Sequence, residues 1–263
     1  MKKKVLTAFF LTLSAAFLLF TSLSSAGDTE LSSDWASFIV NEKYEVMNNV
    51  WNKNARSGNY TQSVIKGKDY FGWKWNWKGD GKWVLSYPEV MCGDSPWNDN
   101  KNLHPGFPFK AGSKKLTVDF DIDLKTTGKC DMAFEFWALS KLPSKKENIS
   151  QEVMIWNYDK TNNDWSWAQN LGTFEADGIV YDVYFKGNHG DDSGANDNKW
   201  TYTAFVARKP FMKGRLNVSL FIDFLMKKKI ITKDNYIANF ELGNEVWYGS
   251  GTAKIKKYDV KVE

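Results

Sequence analysis

The feature that most constrains this chain is a long series of short runs in which apolar and polar residues alternate. Alternation with a period of two places successive side chains on opposite faces of an extended strand, and Gly, Asn, Asp or Pro ends each run early. A chain built from many such runs folds as antiparallel β-structure. We therefore predict an all-β sandwich whose strands cover residues 44–51, 60–65, 70–77, 83–87, 116–124, 132–139, 153–156, 180–185, 200–208, 236–241 and 254–262.

One of these runs is strongly aromatic on a single face. Phe71, Trp73, Trp75 and Trp77 share that face, and the residues between them are small or polar. Because core faces are commoner than binding faces, this row predicts sandwich core rather than a ligand platform. One helix is predicted over residues 217–226, where apolar residues recur at helical spacing ahead of three lysines that suit the C-terminal end.

The beginning of the chain has the pattern of a targeting segment. Three lysines precede an apolar run over residues 5–20, and small residues at 24–26 suit a cleavage site. This pattern predicts a signal peptide over residues 1–26, which leaves a single domain over residues 27–263. A membrane anchor is the alternative, but the run is short for a bilayer span and no stop-transfer charges follow closely. We therefore expect a secreted, extracellular monomer with no membrane association after the signal is removed.

Charge and composition exclude one class of function and favour another. Removing the signal lowers the formal charge from +4 to +1, because that segment carries three lysines and no acid. A nucleic-acid binder needs a concentrated basic footprint, so a near-neutral domain argues against that class. Tryptophan is unusually frequent, with 13 residues in an aromatic share of 16%. Indoles build cores, and exposed indoles also make stacking platforms for the apolar faces of sugar rings.

Two cysteines and two histidines limit the chemistry available. Cys92 and Cys130 would close a loop of about 38 residues if bridged, and two unlinked buried thiols are the alternative. His104 and His189 are too few and too far apart for a zinc site, and they do not suit a Ser/His/Asp mechanism. The sequence predicts no metal site and no cofactor.

A carboxylate stands on an unusual strand face in residues 151–156. Glu152, Met154 and Trp156 share this face, while Val153 and Ile155 point to the core. A buried carboxylate without a partner is costly, so Glu152 is either paired or exposed to something on which it acts. An ordinary solvent-facing Glu is the other interpretation.

Two further runs repeat this arrangement. Glu135 shares a face with Trp137, and a third run carries Glu241 and Glu245 with Gly243 between them. The glycine would leave an open position for a bulky ligand. Paired carboxylates that flank a bond are what glycoside hydrolysis requires. The residues alone do not decide which acid of the third run completes such a pair.

With these motifs the chain resembles glycoside hydrolase family 12, the small secreted endo-β-1,4-glucanases and xyloglucanases. Residues 152–156 (Glu-Val-Met-Ile-Trp) are similar to the nucleophile strand, and residues 243–245 (Gly-Asn-Glu) to the acid/base strand. Residues 48–51 (Asn-Asn-Val-Trp) are similar to an early Asn-Asn-x-Trp element of the family. Glu135 stands 17 residues before the nucleophile strand, where the family places a third acid, often Asp. The resemblance covers most of residues 37–262.

The resemblance implies a β-jelly roll sandwich of two curved antiparallel sheets, with one helix packed on the convex side. It implies a retaining mechanism in which Glu152 attacks the anomeric carbon and Glu245 protonates the departing oxygen, the carboxyls standing roughly 5–5.5 Å apart. Glu135 would hydrogen-bond the nucleophile, and we expect the two to titrate as a coupled pair.

The same resemblance implies a set of substrate contacts. Trp51 and Trp156 would hold sugar rings, Asn49 would hydrogen-bond a hydroxyl, and Met154 would lie beside the nucleophile. The implied activity is internal cleavage of cellulose-type β-glucan, with xyloglucan as the alternative substrate of the same family. The loops at 88–113 and 186–199 are long compared with those of the shortest family members and leave that preference open, because loops at a cleft rim set which glucan fits.

A non-catalytic carbohydrate-binding β-sandwich is the rival from another class. It would account for the export signal, the strands and the tryptophans. It does not require acids such as Glu135, Glu152 and Glu245 in register on separate strands, so the hydrolase interpretation explains more of the sequence.

Overall fold

The computed structural model describes residues 27–55, 59–97, 103–191 and 196–263. The signal peptide predicted over residues 1–26 lies outside these ranges. The strands are β1 (Thr29–Leu31), β2 (Ser37–Val40), β3 (Tyr44–Met47), β4 (Tyr60–Lys66), β5 (Phe71–Trp77), β6 (Glu89–Gly93), β7 (Phe109–Lys110), β8 (Leu116–Thr126), β9 (Lys129–Leu139), β10 (Ile149–Asp159), β11 (Gln169–Ala176), β12 (Ile179–Gly190), β13 (Lys199–Ala207), β14 (Lys213–Asn217), β15 (Tyr236–Ile237), β16 (Asn239–Gly243) and β17 (Val246–Val262). The α-helix, α1, spans Val218–Lys227.

The strands pair into two sheets. The back sheet has the order β1-β4-β5-β17-β8-β14. The front sheet has the order β2-β3-β6-β16-β9-β10-β13-β12-β11. All of these pairings are antiparallel except that of β10 with β13, which is parallel and differs from the expectation of fully antiparallel sheets. Strand β17 starts beside β9 and continues through the back sheet, so it joins the two.

The hydrophobic core lies between the sheets and confirms the predicted faces. Trp73, Trp75 and Trp77 are at most 3% exposed and pack into the same cluster as Phe134 and Val153 of the front sheet. Fully burying one large apolar side chain contributes about 1.5–3 kcal/mol, so the strand alternation alone favours this packing strongly. With the inner faces filled, the acids between these core positions are directed to the outer face of the front sheet.

The helix begins and ends within one residue of its prediction. Its buried side chains, among them Phe221 and Leu225, pack in the core. The Phe221 ring lies 4.9 Å from the ring of Phe205 on β13 and 5.1 Å from that of Phe174 on β11. The helix therefore supports the front sheet on the side away from its acids.

Several segments differ from their prediction. Strands β1, β2, β7 and β14 lie outside the predicted strand ranges, and residues 83–87, predicted as a strand, form only an isolated bridge at Ser86. Strand β6 lies inside the predicted loop 88–113 and is buried along its whole length. Strand β11 was not predicted, because only Leu171, Phe174 and Ala176 of its residues face protein and the alternation is weak. The predicted loop 186–199 is also shorter, since β12 continues to Gly190.

The two cysteines are not bridged. Cys92 on β6 and Cys130 on β9 are both buried free thiols, which decides between the two alternatives left by the sequence. Among the described residues, no helix has the length and apolar character that a bilayer crossing requires.

Candidate active site

Strand register brings the predicted acids of β9, β10 and β16 to one region of the front sheet. On β9, Glu135 lies directly across from Met154 of β10 on one side and from Glu241 of β16 on the other. Glu152 lies across from Trp137. Since opposed residues of paired strands share a face, these side chains form one outer surface. The sequence predicted that shared face, and the register confirms it.

Glu152 is held by two residues that the sequence analysis did not assign to the site. The indole Nε1 of Trp200 donates a hydrogen bond of 2.7 Å to Glu152 Oε2. The imidazole Nε2 of His189 lies 3.6 Å from the same oxygen, and the two side chains are 26% and 12% exposed. Burial, with smaller effects from Lys186 and Lys199, lowers the pKa of His189 to about 4. His189 is therefore a neutral imidazole beside this carboxylate at neutral pH.

Neither contact has a local signal in the sequence. His189 belongs to β12 and Trp200 to β13, and the two residues are paired across those strands. They reach Glu152 only because β13 runs parallel to β10 and lies next to it. The number and spacing of the histidines in the sequence argue against a metal site or a catalytic triad, but they do not predict a single contact such as that of His189 with Glu152.

Glu135 is buried next to Glu152. It is 5% exposed. Burial raises the pKa of Glu135 well above its usual range, and the negative charges of Glu152, Glu89 and Glu245 raise it further. The protonated form of Glu135 is therefore favoured, in the direction expected if Glu135 and Glu152 titrate as a coupled pair.

The third run separates its two acids. Glu241 is 4% exposed on β16 and accepts a hydrogen bond from Asn239 Nδ2. Burial and the charges of Glu89 and Glu135 raise the pKa of Glu241 well above its usual range. Glu245 lies past the end of β16, in the connection to β17, and is only half-buried. The accessible acid of this run is therefore Glu245.

Glu245 and Glu152 belong to the same electrostatic site. The hydroxyl of Tyr202 on β13 is fully buried, and after burial the charges of Glu245 and Glu152 are the largest influences that raise its pKa. Both glutamates also raise the pKa of Glu135. Two acids from distant parts of the chain thus flank one patch of the front sheet.

A further acid, Glu89, lies on β6, inside the segment that the sequence predicts as a loop. It is 3% exposed and accepts a hydrogen bond of 2.8 Å from Asn49 Nδ2. Burial raises the pKa of Glu89 to about 7, against the opposing effect of hydrogen bonds from Asn49 and Glu241. Asn49 Oδ1 accepts a hydrogen bond of 3.0 Å from the Trp51 backbone N–H. Asn49, predicted to bind a sugar hydroxyl, therefore also links the Trp51 turn to a buried acid.

The predicted aromatic contacts differ in their exposure. Trp51 is half-buried and packs against a front-face cluster that contains Trp156 and Met154. Trp156 is 2% exposed, with its ring 4.9 Å from that of Trp165. The Met154 sulfur accepts a hydrogen bond of 3.3 Å from the hydroxyl of Tyr202, the residue of β13 that lies across from Glu152. Sugar contacts at these residues stay predictions.

Two other features of the surface differ from the sequence picture. The position beside Gly243 is not open, because a Cβ there would lie 2.6 Å from the Tyr87 ring. Trp167, for which no role was predicted, is 39% exposed against 2% for Trp156, and its ring centre lies 5.8 Å from that of Tyr202. Within the described ranges, no group of three or more His, Cys, Asp or Glu is arranged to hold a metal ion.

Comparison with known proteins gives matches over most of the chain. The profile described as Glycosyl hydrolase family 12 matches residues 42–263. Endoglucanase S of Pectobacterium parmentieri is 26% identical over 263 residues, which covers 98% of this chain and 95% of that protein. Xyloglucan-specific endo-beta-1,4-glucanase 1 of Phytophthora nicotianae is 25% identical over 236 residues, covering 87% of this chain and 88% of that protein.

Solved structures show the same fold. The family 12 xyloglucanase from Bacillus licheniformis in complex with ligand superposes with a TM-score of 0.80 at 22% identity, covering 89% of this chain and 100% of that one. Endoglucanase 3 of Trichoderma harzianum gives a TM-score of 0.70 at 19% identity, covering 90% and 99%. The two-sheet sandwich is thus the β-jelly roll expected from the sequence.

Proposed function

Because the chain belongs to glycosyl hydrolase family 12, we propose that it is a secreted endo-β-1,4-glucanase that cleaves internal bonds of cellulose-type β-glucans with retention of configuration. The observation that carries the proposal is that the charges of Glu152 and Glu245 both raise the pKa of Glu135 and the pKa of Tyr202, so both acids lie near those two residues. A binding module would gain nothing from this concentration of acids, because burying several carboxyl groups close together costs stability.

In the first step Glu152 acts as the nucleophile. One carboxylate oxygen attacks the anomeric carbon, and the bond to the glycosidic oxygen breaks as Glu245 transfers its proton to that oxygen. The hydrogen bond from Trp200 fixes the carboxylate for attack. Glu135 holds a proton, so it does not add a second negative charge beside the nucleophile.

In the second step Glu245 acts as a base. It removes a proton from water, the resulting hydroxide attacks the anomeric carbon, and Glu152 leaves as a carboxylate. Two displacements on one carbon restore the original configuration. No cofactor is required, because the reaction uses only proton transfer and nucleophilic attack.

Xyloglucan is the second candidate substrate. Relatives described as xyloglucan-specific match over most of this chain, and the family 12 xyloglucanase from Bacillus licheniformis has the same fold. Loops at the rim of a binding cleft decide whether the side branches of xyloglucan fit, so the shared fold is compatible with either polymer.

Reducing-end release from barley β-glucan, carboxymethylcellulose and xyloglucan tests the activity. Glu152→Gln and Glu245→Gln should each abolish release, while Glu147→Gln, at an exposed glutamate outside the site, should retain wild-type rates. A wild-type protein that binds glucan and releases no ends would establish the binding module instead. The relative rates on unbranched glucan and xyloglucan decide the substrate.

Two further measurements test mechanism and export. Proton NMR of the first product formed should show the β-anomer, and an initial α-anomer would contradict retention. For export, expression in a bacterial host should place the protein in the medium or periplasm with an N-terminus at Gly27. An uncleaved protein retained in the cytoplasm would contradict the signal peptide over residues 1–26.

A further inference from the structure

The connection that carries Glu245 is tied to one residue of β9, Asp131. The Asp131 N–H donates to the Glu245 carbonyl at 3.1 Å, and the Glu245 N–H donates to Asp131 Oδ1 at 3.0 Å. The side chain of Asn244 donates through Nδ2 to the Asp131 carbonyl. Asn244 in turn accepts a hydrogen bond of 2.7 Å from Nε1 of Trp73, in the middle of the core. The backbone of the acid/base residue is thus fixed to both sheets through Asp131 and Asn244.

The Asp131 carboxyl has no exposure to solvent and lies against the Glu245 side chain. Its Oδ2 atom is buried with no donor from the described chain directed at it. A carboxylate in that position would have one oxygen without compensation, whereas a carboxylic acid would itself be the donor. The other titratable groups around it are the Cys130 thiol, the hydroxyls of Tyr87 and Tyr202, and Asp159, which lies across from it on β10.

These groups supply no positive charge, so they do not favour an ionised Asp131. Burial raises the pKa of Asp131 well above its usual range, and the negative charge of Glu245 raises it further. The hydrogen bond between the two side chains acts in the same direction, as it does when the protonated partner is the donor. The electrostatics therefore agree with the geometry.

We propose that Asp131 is a positioning residue for the acid/base: its protonated carboxyl donates a hydrogen bond to the Glu245 carboxylate, while its Oδ1 holds the Glu245 backbone N–H. The inference rests on the proposed function and names how that site is tuned. When Glu245 gives its proton to the departing oxygen, the new carboxylate is stabilised by the Asp131 O–H. Asp131 keeps its own proton throughout, and Glu245 recovers one from water in the second step.

The reaction should therefore depend on Asp131 only as far as it depends on acid assistance. Phenyl β-cellobioside has a poor leaving group that needs protonation, whereas 2,4-dinitrophenyl β-cellobioside departs without it. Asp131→Ala removes the donor and should lower kcat/KM for the phenyl substrate by about 10²-fold and for the dinitrophenyl substrate by less than about fivefold. An equal loss on both substrates would show a merely structural role and overturn the proposal.

Asp131→Asn is the conservative variant, because an amide keeps both a donor and the Oδ1 acceptor. It should retain kcat/KM on the phenyl substrate within about threefold, with an unchanged pH profile. A loss as large as that of Asp131→Ala, or a displaced pH limb, would show that Asp131 acts as an anion and overturn the proposal. The infrared carboxylic-acid C=O band at pH 7 should also lose intensity in Asp131→Asn, and an unaltered band would contradict protonation without reference to activity.

Glu245→Ala separates the failure of this inference from failure of the proposed function. In Glu245→Ala, kcat/KM should fall much more for the phenyl substrate than for the dinitrophenyl substrate, and this difference should be larger than in Asp131→Ala. If Glu245→Ala lacks that difference, then Glu245 is not the acid and the proposed mechanism fails. If Glu245→Ala shows it and Asp131→Ala does not, only the role of Asp131 is contradicted.

Discussion

The indole N–H of Trp200 is hydrogen-bonded to Oε2 of Glu152 at 2.7 Å, from the strand that runs parallel to the one that carries Glu152. A donor to a carboxylate favours its charged form and orients it. The same donor would stabilise the carboxylate as it leaves the covalent intermediate, so Trp200 serves both steps of the proposed mechanism.

Trp200→Phe removes this donor and keeps an aromatic ring. We expect kcat to fall by about 10- to 100-fold with KM little changed, because Trp200 hydrogen-bonds the reacting carboxylate and so acts on the chemical step rather than on substrate binding. Steady-state kinetics on β-glucan measure the change. Trp137→Phe is the matched control: Trp137 belongs to the same aromatic cluster, and its own Nε1 has no hydrogen-bond partner among the described residues. Equal losses in both variants would assign the effect to packing.

The buried acids should make the protein less stable as pH rises. The folded pKa of Glu89 is about 7, above its ordinary value of 4.5. A raised pKa contributes stability that is present in full below pH 4.5 and is lost as pH rises through 7, here about 3 kcal/mol. Urea unfolding at pH 5 and pH 8 should show a larger drop for wild type than for Glu89→Gln. A drop of the same size in both would contradict this assignment, and Glu147→Gln should behave as wild type.

His189 should act in the opposite direction on the acid side. Its folded pKa is about 4, below its ordinary value of 6.5, so the unfolded chain binds its proton first. Stability is therefore lost as pH falls from about 6.5 towards 4, by up to about 3 kcal/mol. His189→Phe should reduce this loss in urea unfolding between pH 7 and pH 4. Parallel curves for variant and wild type would contradict it.

Asn49→Ala should disconnect the Trp51 turn from Glu89. Losing these two hydrogen bonds should destabilise the ordered conformation of that turn by about 1–2 kcal/mol. Because the turn carries Trp51, KM for β-glucan should rise by about 5- to 20-fold with kcat almost unchanged. Asn52→Ala, which removes a different tether of the same turn to Val84, is the comparison. A fall in kcat at constant KM would place Asn49 in the chemical step instead.

Much of the fold was predictable because its signals are local. The period-two alternation in residues 71–77 and 132–139 fixed which side chains face the core, and the helix followed from its apolar spacing. Among the strands that the sequence did not predict, β6 and β11 show the physical reason. β6 is buried on both faces and has no alternation, and β11 is an edge strand with few buried residues.

The amino-acid sequence determined which faces of β9 and β10 carry Glu135 and Glu152, because alternation along one strand is a local property. Only the tertiary structure decided that Trp200, 48 residues away, holds Glu152 and that Asp131, 114 residues away, holds Glu245. Those contacts depend on strand order and register. Strand order and register are set by the packing of the whole sandwich, so the sequence close to Glu152 or Glu245 contains no pattern that predicts these contacts.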